Sequence, residues 1–192
     1  EYKRSHNMQI VQLEQEEKKK CFLQSRMEGN EHHEEILNVF DAILLNSKKI
    51  QTKALFDYNF VLTGFMGAGK TTISNALKHI FAIDVIEMDQ IIAEREGMSI
   101  SEIFETYGEQ YFRDAETDLL IELQSRKNIV LSCGGGTPLR EVNVSEMKKI
   151  GKVILLTAKP ETIFERIKDC HDRPVLENNK NIAFIAELME QR

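Results

Sequence analysis

Between Gly64 and Thr72 the sequence reads GFMGAGKTT, a stretch whose residue types and spacing suit it to holding a phosphate chain. Glycine at 67 and 69 opens backbone conformations closed to other residues, so successive N–H groups can turn toward one anion. Lys70 adds a mobile positive charge for the terminal phosphates, and the Thr71 hydroxyl can ligate a divalent cation such as Mg2+. The stretch fits G-x-x-x-x-G-K-[ST], so Gly67, Ala68, Gly69, Lys70, Thr71 and Thr72 are the residues expected at the nucleotide. The alternative is a glycine-rich turn that binds nothing. Context argues against it. The apolar run Phe60-Val61-Leu62 precedes the loop, and a helical pattern at Ile73, Ala76, Leu77 and Ile80 follows it. Strand before and helix after would aim the helix's positive end at the anion.

The elements that must position this loop are legible as an alternation. Short apolar runs at Phe60 to Thr63, Val85 to Met88, Ile129 to Ser132 and Val153 to Thr157 are separated by helical stretches. This pattern predicts an α/β fold, a three-layer sandwich with a parallel sheet between helices and ligands at the carboxyl ends of the strands. Chemistry-bearing residues fall at those ends: the phosphate loop after the first run, Asp89 after the second, Gly134, Gly135 and Gly136 after the third. Asp89 could equally cap the helix that follows it. Arg113 and Glu116, three residues apart on one helix face, could be a surface ion pair worth under about 1 kcal/mol. Three consecutive glycines are costly in chain entropy, more than a plain strand-to-helix turn requires.

Ahead of this domain, assigned to residues 58–192, residues 1–57 form an all-α segment. It has no glycine before Gly29 and no proline, and is dense in Glu, Lys and Gln. From Glu34 to Gln51, Ile36, Val39, Phe40, Ile43, Leu44 and Ile50 trace one helical face. Ser47 and Gln51 continue that face, either as inward polar groups needing partners or as the end of a stripe that runs out into solvent. A formal net charge of -6 argues against a general nucleic-acid binder. No apolar run nears the roughly 18 residues of a membrane span and no signal-peptide pattern opens the chain, so a cytoplasmic address is expected. Cys21, Cys133 and Cys170 have no metal-ligand spacing and read as reduced thiols. The chain opens on Glu1 and ends at ELMEQR, so a fragment is expected.

Several separated motifs, in order, make residues 59–192 resemble the shikimate kinases. IEMDQII is similar to that family's D-x-D segment, with Glu87 at the first acidic position in place of Asp. The resemblance implies that Asp89 hydrogen-bonds the shikimate hydroxyls and takes the proton from the one attacked. FRDAE supplies Arg113, which in the family clamps the shikimate carboxylate, with Glu116 bracing it. CGGGTPL resembles the turn at which Gly134, Gly135 and Gly136 let the substrate ring approach the backbone. ERIKDCHDRPVL resembles the lid, in which Arg166 stacks on adenine and Arg173 reaches the transferring phosphate. Arg192 matches a second shikimate-binding arginine, and by the family pattern a last strand would follow it, leaving a sheet edge exposed here. The implied activity is ATP- and Mg2+-dependent phosphorylation of the shikimate 3-hydroxyl, in the route to aromatic amino acids. Two rivals are another small-metabolite kinase of this fold, such as one for gluconate, and a nucleotide-gated interaction protein. A guanine-recognition N-K-x-D is absent, since Asn179-Lys180-Asn181-Ile182 lacks the aspartate.

EYKRSHNMQIVQLEQEE and ILLNSKKIQ resemble parts of the all-helical chorismate mutases. That likeness implies a pocket lined by Lys3, Glu16, Ser47 and Gln51 and a homodimer through the N-terminal helices. The chain would then be part of a bifunctional chorismate mutase and shikimate kinase. Gln15 stands where that family has arginine, and Lys18 and Lys19 where it has apolar residues, which argues against a working mutase.

Overall fold

A computed structural model describes residues 13–168 and 181–191. Lys3, Cys170, Arg173 and Arg192, named above on sequence grounds, lie outside the described residues. Strand β1 (Asn59–Gly64) runs directly into the phosphate loop, and α3 (Lys70–Phe81) starts at the loop's lysine. Then follow β2 (Asp84–Glu87), α4 (Met88–Glu96), α5 (Ile100–Leu123), β3 (Ile129–Ser132), a short 3-10 turn at Thr137–Leu139, α6 (Glu141–Ile150), β4 (Gly151–Leu156), α7 (Pro160–Ile167) and α8 (Ile182–Glu190). These follow the N-terminal helices α1 (Leu13–Arg26) and α2 (His33–Leu55).

The four strands pair in the order β2-β3-β1-β4, all parallel, which is the α/β sheet expected. Strands covered by helices on both faces carry continuous apolar runs rather than alternation, which is why β1 and β3 were visible in the sequence. Two boundaries differ from expectation. The second strand ends at Glu87, so Met88 and Asp89 open α4; Glu87 has extended backbone and acts as the N-cap. Capping is therefore not the role of Asp89, which lies in the helix's first turn. The fourth strand begins at Gly151 because pairing starts there, opposite Asn59. A Cβ at Gly151 would lie 2.3 Å from the Asn59 carbonyl oxygen, so glycine admits the close approach. Asn59 itself is fully buried and ties the strand bases together: its Nδ2 donates to Arg126 O (2.9 Å) and Ile150 O (3.0 Å), and its Oδ1 accepts from Ile129 N (3.1 Å).

Most of the core lies between the sheet and α4, α5 and α6, where Val61, Leu131, Leu119, Leu120 and Met147 are essentially inaccessible. Each such side chain contributes about 1.5–3 kcal/mol by burial. A second cluster packs Phe65, just after β1, against Ile163, Ile167 and Ile185 of α7 and α8. Helix α5 opens with a reciprocal capping box between Ser99 and Glu102 and is broken at Gly108, whose φ of 83° and ψ of 163° are not helical.

The chain divides into two compact units, one comprising residues 1–57 with Ala76–Ile83, the other Tyr58–Asn75 with Asp84–Arg192. Within the first, Lys20 pairs with Asp41 and Lys48 with Glu16, each at 2.6 Å, holding α1 against α2. Thr52 Oγ1 donates to Phe81 O, and the Phe56 and Phe81 rings meet edge to face. The α2 stripe is only half covered: Val39, Ile43 and Ile50 are exposed. Ser47 also faces solvent and accepts from Gln51 Nε2 (3.0 Å), so the pair satisfies itself at the surface. Among the described residues no helix is long and apolar enough to cross a membrane.

Candidate active site

Parallel strands that end at one level deliver their following loops to one place. At the carboxyl ends of β1, β2 and β3 a cavity of about 620 Å³ is lined by the phosphate loop, by Glu87 and Asp89, by Arg113 and Glu116 of α5, by Gly134 to Gly136, and by Arg166 of α7. Every described residue that the motif readings single out for the kinase site thus meets at one cavity.

On the side of the glycine-rich loop, Gly67 (φ 74°) and Gly69 (φ 104°) take the left-handed backbone their spacing suggested. The loop rests on α7: a Cβ at Gly67 would lie 3.0 Å from Ile167 Cγ2. Lys70 Nζ donates to Gly64 O (2.7 Å) and Phe65 O (3.2 Å), which sets the ammonium over the loop, and Arg166 Nη1 donates to Gly67 O (2.7 Å). Glu87 is positioned by a residue that sequence reading missed. Ser74, fully buried one turn after Thr71, donates to Glu87 Oε1 (3.0 Å), bringing this carboxylate to the first turn of α3. Among the described residues no group of three or more His, Cys, Asp or Glu could hold a metal. The Thr71 hydroxyl with Glu87 nearby suits instead a hard cation shared with phosphate oxygens.

The opposite wall is organised by the glycine turn, where a Cβ at any of the three positions would crowd a neighbour. A Cβ at Gly134 would meet Asp89 Oδ1 at 2.9 Å and Glu116 Oε1 at 3.1 Å; at Gly135, Gly64 O at 3.3 Å; at Gly136, the Arg113 Nη2 and Nη1 at 2.6 and 2.8 Å. The turn thereby packs Asp89, the loop backbone and the Arg113 guanidinium around itself.

Arg113 and Glu116 are no surface pair, since the Glu116 side chain is completely buried. Arg113 Nη1 donates to Glu116 Oε2 (2.9 Å), and Thr137 Oγ1 donates to Glu116 Oε1. Burial pushes the Glu116 carboxyl above the usual carboxylate range; the bonds from Arg113 and Thr137 oppose this, and the nearby Asp89 charge adds to it. For Arg113 burial acts to lower the pKa, but its bonds to Glu116 and Glu109 outweigh it and hold the guanidinium above its ordinary value. Glu109 escaped the sequence reading: its Oε1 accepts from Arg113 Nη2 (2.7 Å) and Nε (3.2 Å). Its place four residues before Arg113 was the available signal. Thr137 and Asn143 were also missed, Asn143 Nδ2 donating to Thr137 O (3.0 Å) and its Oδ1 accepting from Thr117 (2.7 Å). Cys133 lines the cavity with its thiol buried, and burial pushes its pKa upward, so it stays a protonated, inert thiol.

The family model for shikimate kinase (SKI) matches residues 66–192. A shikimate kinase from Caldanaerobacter subterraneus is 41% identical over 134 residues, covering 70% of this chain and 78% of that protein. Among solved structures, a shikimate kinase from Acinetobacter baumannii in complex with shikimate superposes with a TM-score of 0.68 at 34% identity, over 72% of this chain and 78% of that one. One from Bacteroides thetaiotaomicron gives 0.66 at 33% identity, over 71% and 80%. The chain belongs to the shikimate kinase family.

Proposed function

We propose that residues 58–192 transfer the γ-phosphoryl group of ATP to the 3-hydroxyl of shikimate. The observation that carries this reading is the glycine turn. Its three Cβ-free positions fit an anion-binding loop, a carboxylate and a guanidinium around one cavity, which matches a triphosphate donor meeting a small acidic polyol. Backbone N–H groups of Gly67 to Lys70 and the start of α3 hold the phosphates. Thr71, with Glu87 behind Ser74, would hold Mg2+, whose charge offsets that of the phosphate oxygens. Asp89 orients the acceptor hydroxyl and accepts its proton as the new P–O bond forms and the bond to ADP breaks. Arg113 clamps the acceptor carboxylate, a bidentate task that guanidinium geometry suits, and Arg192 joins it. Arg166 contacts the adenine side, and Arg173 meets the transferring phosphoryl group.

The test is shikimate-dependent ADP release by the parent chain and by Arg113→Ala. Loss of a charge-assisted clamp is expected to lower kcat/KM for shikimate about thirtyfold or more, equivalent to about 2 kcal/mol. An unchanged kcat/KM removes the clamp. ATP binding without acceptor-dependent release favours a nucleotide-gated interaction protein instead.

Residues 1–57 we read as a chorismate-mutase-like scaffold that pairs with a second copy and has no mutase activity. The Glu16–Lys48 ion pair between α1 and α2 supports the scaffold. The mutual bond of Ser47 and Gln51 at the surface supports the lack of activity. Chorismate consumption above the uncatalysed rate overturns that reading.

A further inference from the structure

We infer that Glu109 is an internal stand-in for the acceptor's carboxylate, holding one edge of Arg113 until an acidic acceptor displaces it. This rests on Arg113 being the acceptor clamp. A guanidinium offers five N–H donors in a fixed fork, and three of them are engaged here, at Nε, Nη2 and Nη1. The Nε–Nη2 edge donates twice to Glu109 Oε1, at 3.2 and 2.7 Å, while Nη1 donates to Glu116 Oε2 at 2.9 Å. Gly136 lies close to the Nη1–Nη2 end, since a Cβ there would lie 2.6 and 2.8 Å from Nη2 and Nη1. An incoming carboxylate that takes the two parallel N–H donors of the Nε–Nη2 edge must therefore dislodge Glu109.

The two glutamates are not equally held. Glu116 is fully buried and also takes the Thr137 hydroxyl, so moving it would strand a charge away from water. The Glu109 side chain is 66% exposed and can turn into solvent. It is also the first residue after the break at Gly108, so it opens the helical segment that runs on to Leu123. A carboxylate released there still sits at a helix start, where negative charge is favoured. Glu116 is thus the permanent brace, and Glu109 is the exchangeable partner. The arrangement keeps the guanidinium aimed, and an acceptor gains this clamp only by displacing Glu109 with a carboxylate of its own.

The test is equilibrium titration of the full chain with shikimate, comparing the parent, Glu109→Gln, Arg113→Ala and the double variant. Exposed ion pairs are weak, so Glu109→Gln is expected to bind shikimate about two- to fivefold tighter. The gain should vanish on the Arg113→Ala background, because the competition is for that guanidinium. The methyl ester of shikimate should bind parent and Glu109→Gln alike. Unchanged or weaker binding by Glu109→Gln, with Arg113→Ala also weakened, overturns the inference and leaves the clamp intact. Tightening that persists without Arg113 overturns it too, as a general charge effect. If Arg113→Ala binds as the parent does, or the parent does not bind, the clamp itself fails and this inference with it. Equal thermal midpoints for parent and Glu109→Gln establish that folding is not the cause.

Discussion

Gly136 acts through what it lacks. Its backbone (φ -97°) is open to any residue, so alanine would not strain the chain. The added Cβ would instead meet the Arg113 guanidinium at 2.6 to 2.9 Å. A long flexible side chain can yield, so Gly136→Ala is expected to leave the thermal midpoint close to the parent's while pushing Arg113 off its mark. Displacements near 1 Å cost about a hundredfold at a reacting centre, and KM for shikimate is expected to rise by about ten- to a hundredfold. Glu116 yields a pH prediction. Its folded pKa is raised, so the folded state binds that proton more readily than the unfolded chain does. Its contribution to stability is therefore full below the ordinary carboxylate pKa of about 4.3 and is lost as pH rises through the raised value. Urea midpoints of the parent, measured against Glu116→Gln across this window, should fall with rising pH; a flat difference contradicts the assignment.

At the scale of elements, α5 is the part that aims the acceptor side. Its break at Gly108 sets the direction of the segment carrying Glu109, Arg113 and Glu116. The φ and ψ found there belong to a region open essentially to glycine alone, while nothing lies within 4 Å of where a Cβ would be. Gly108→Ala is thus opposed by backbone strain and not by a clash. The expected cost is about 1–3 kcal/mol, read as a lower unfolding midpoint, with KM for shikimate rising as the segment redirects. An unaltered midpoint would mean that the segment tolerates a continuous helix.

For the whole molecule, the open question is what covers α2. Val39, Ile43 and Ile50 recur on one helical face and are exposed, a pattern that suits pairing with a second copy. The parent is expected to run as a dimer in light scattering and Ile43→Lys as a monomer. Shikimate-dependent ADP release per chain should be equal in the two, because Ile43 lies outside the compact unit that carries the candidate active site. A monomeric parent contradicts the pairing.

The amino-acid sequence by itself determined the glycine-rich loop, the parallel alternation and the placing of Asp89, Arg113, Glu116 and the three glycines near the strand ends. Each of these is written in local spacing: a motif, a buried strand's apolar run, or a helical i to i+3 pair. Tertiary structure alone decided that Ser74 seats Glu87, that Thr137 and Asn143 lock Glu116, and that α5 breaks at Gly108. It also decided that the α2 stripe is half exposed. Thr137 and Glu116 are 21 residues apart, and Thr117 and Asn143 are 26. No period links them, because their meeting follows from how helices settle on an open parallel sheet. Burial then turns the pair at 113 and 116 from an ordinary surface contact into a fixed cation beside a carboxyl deprived of water.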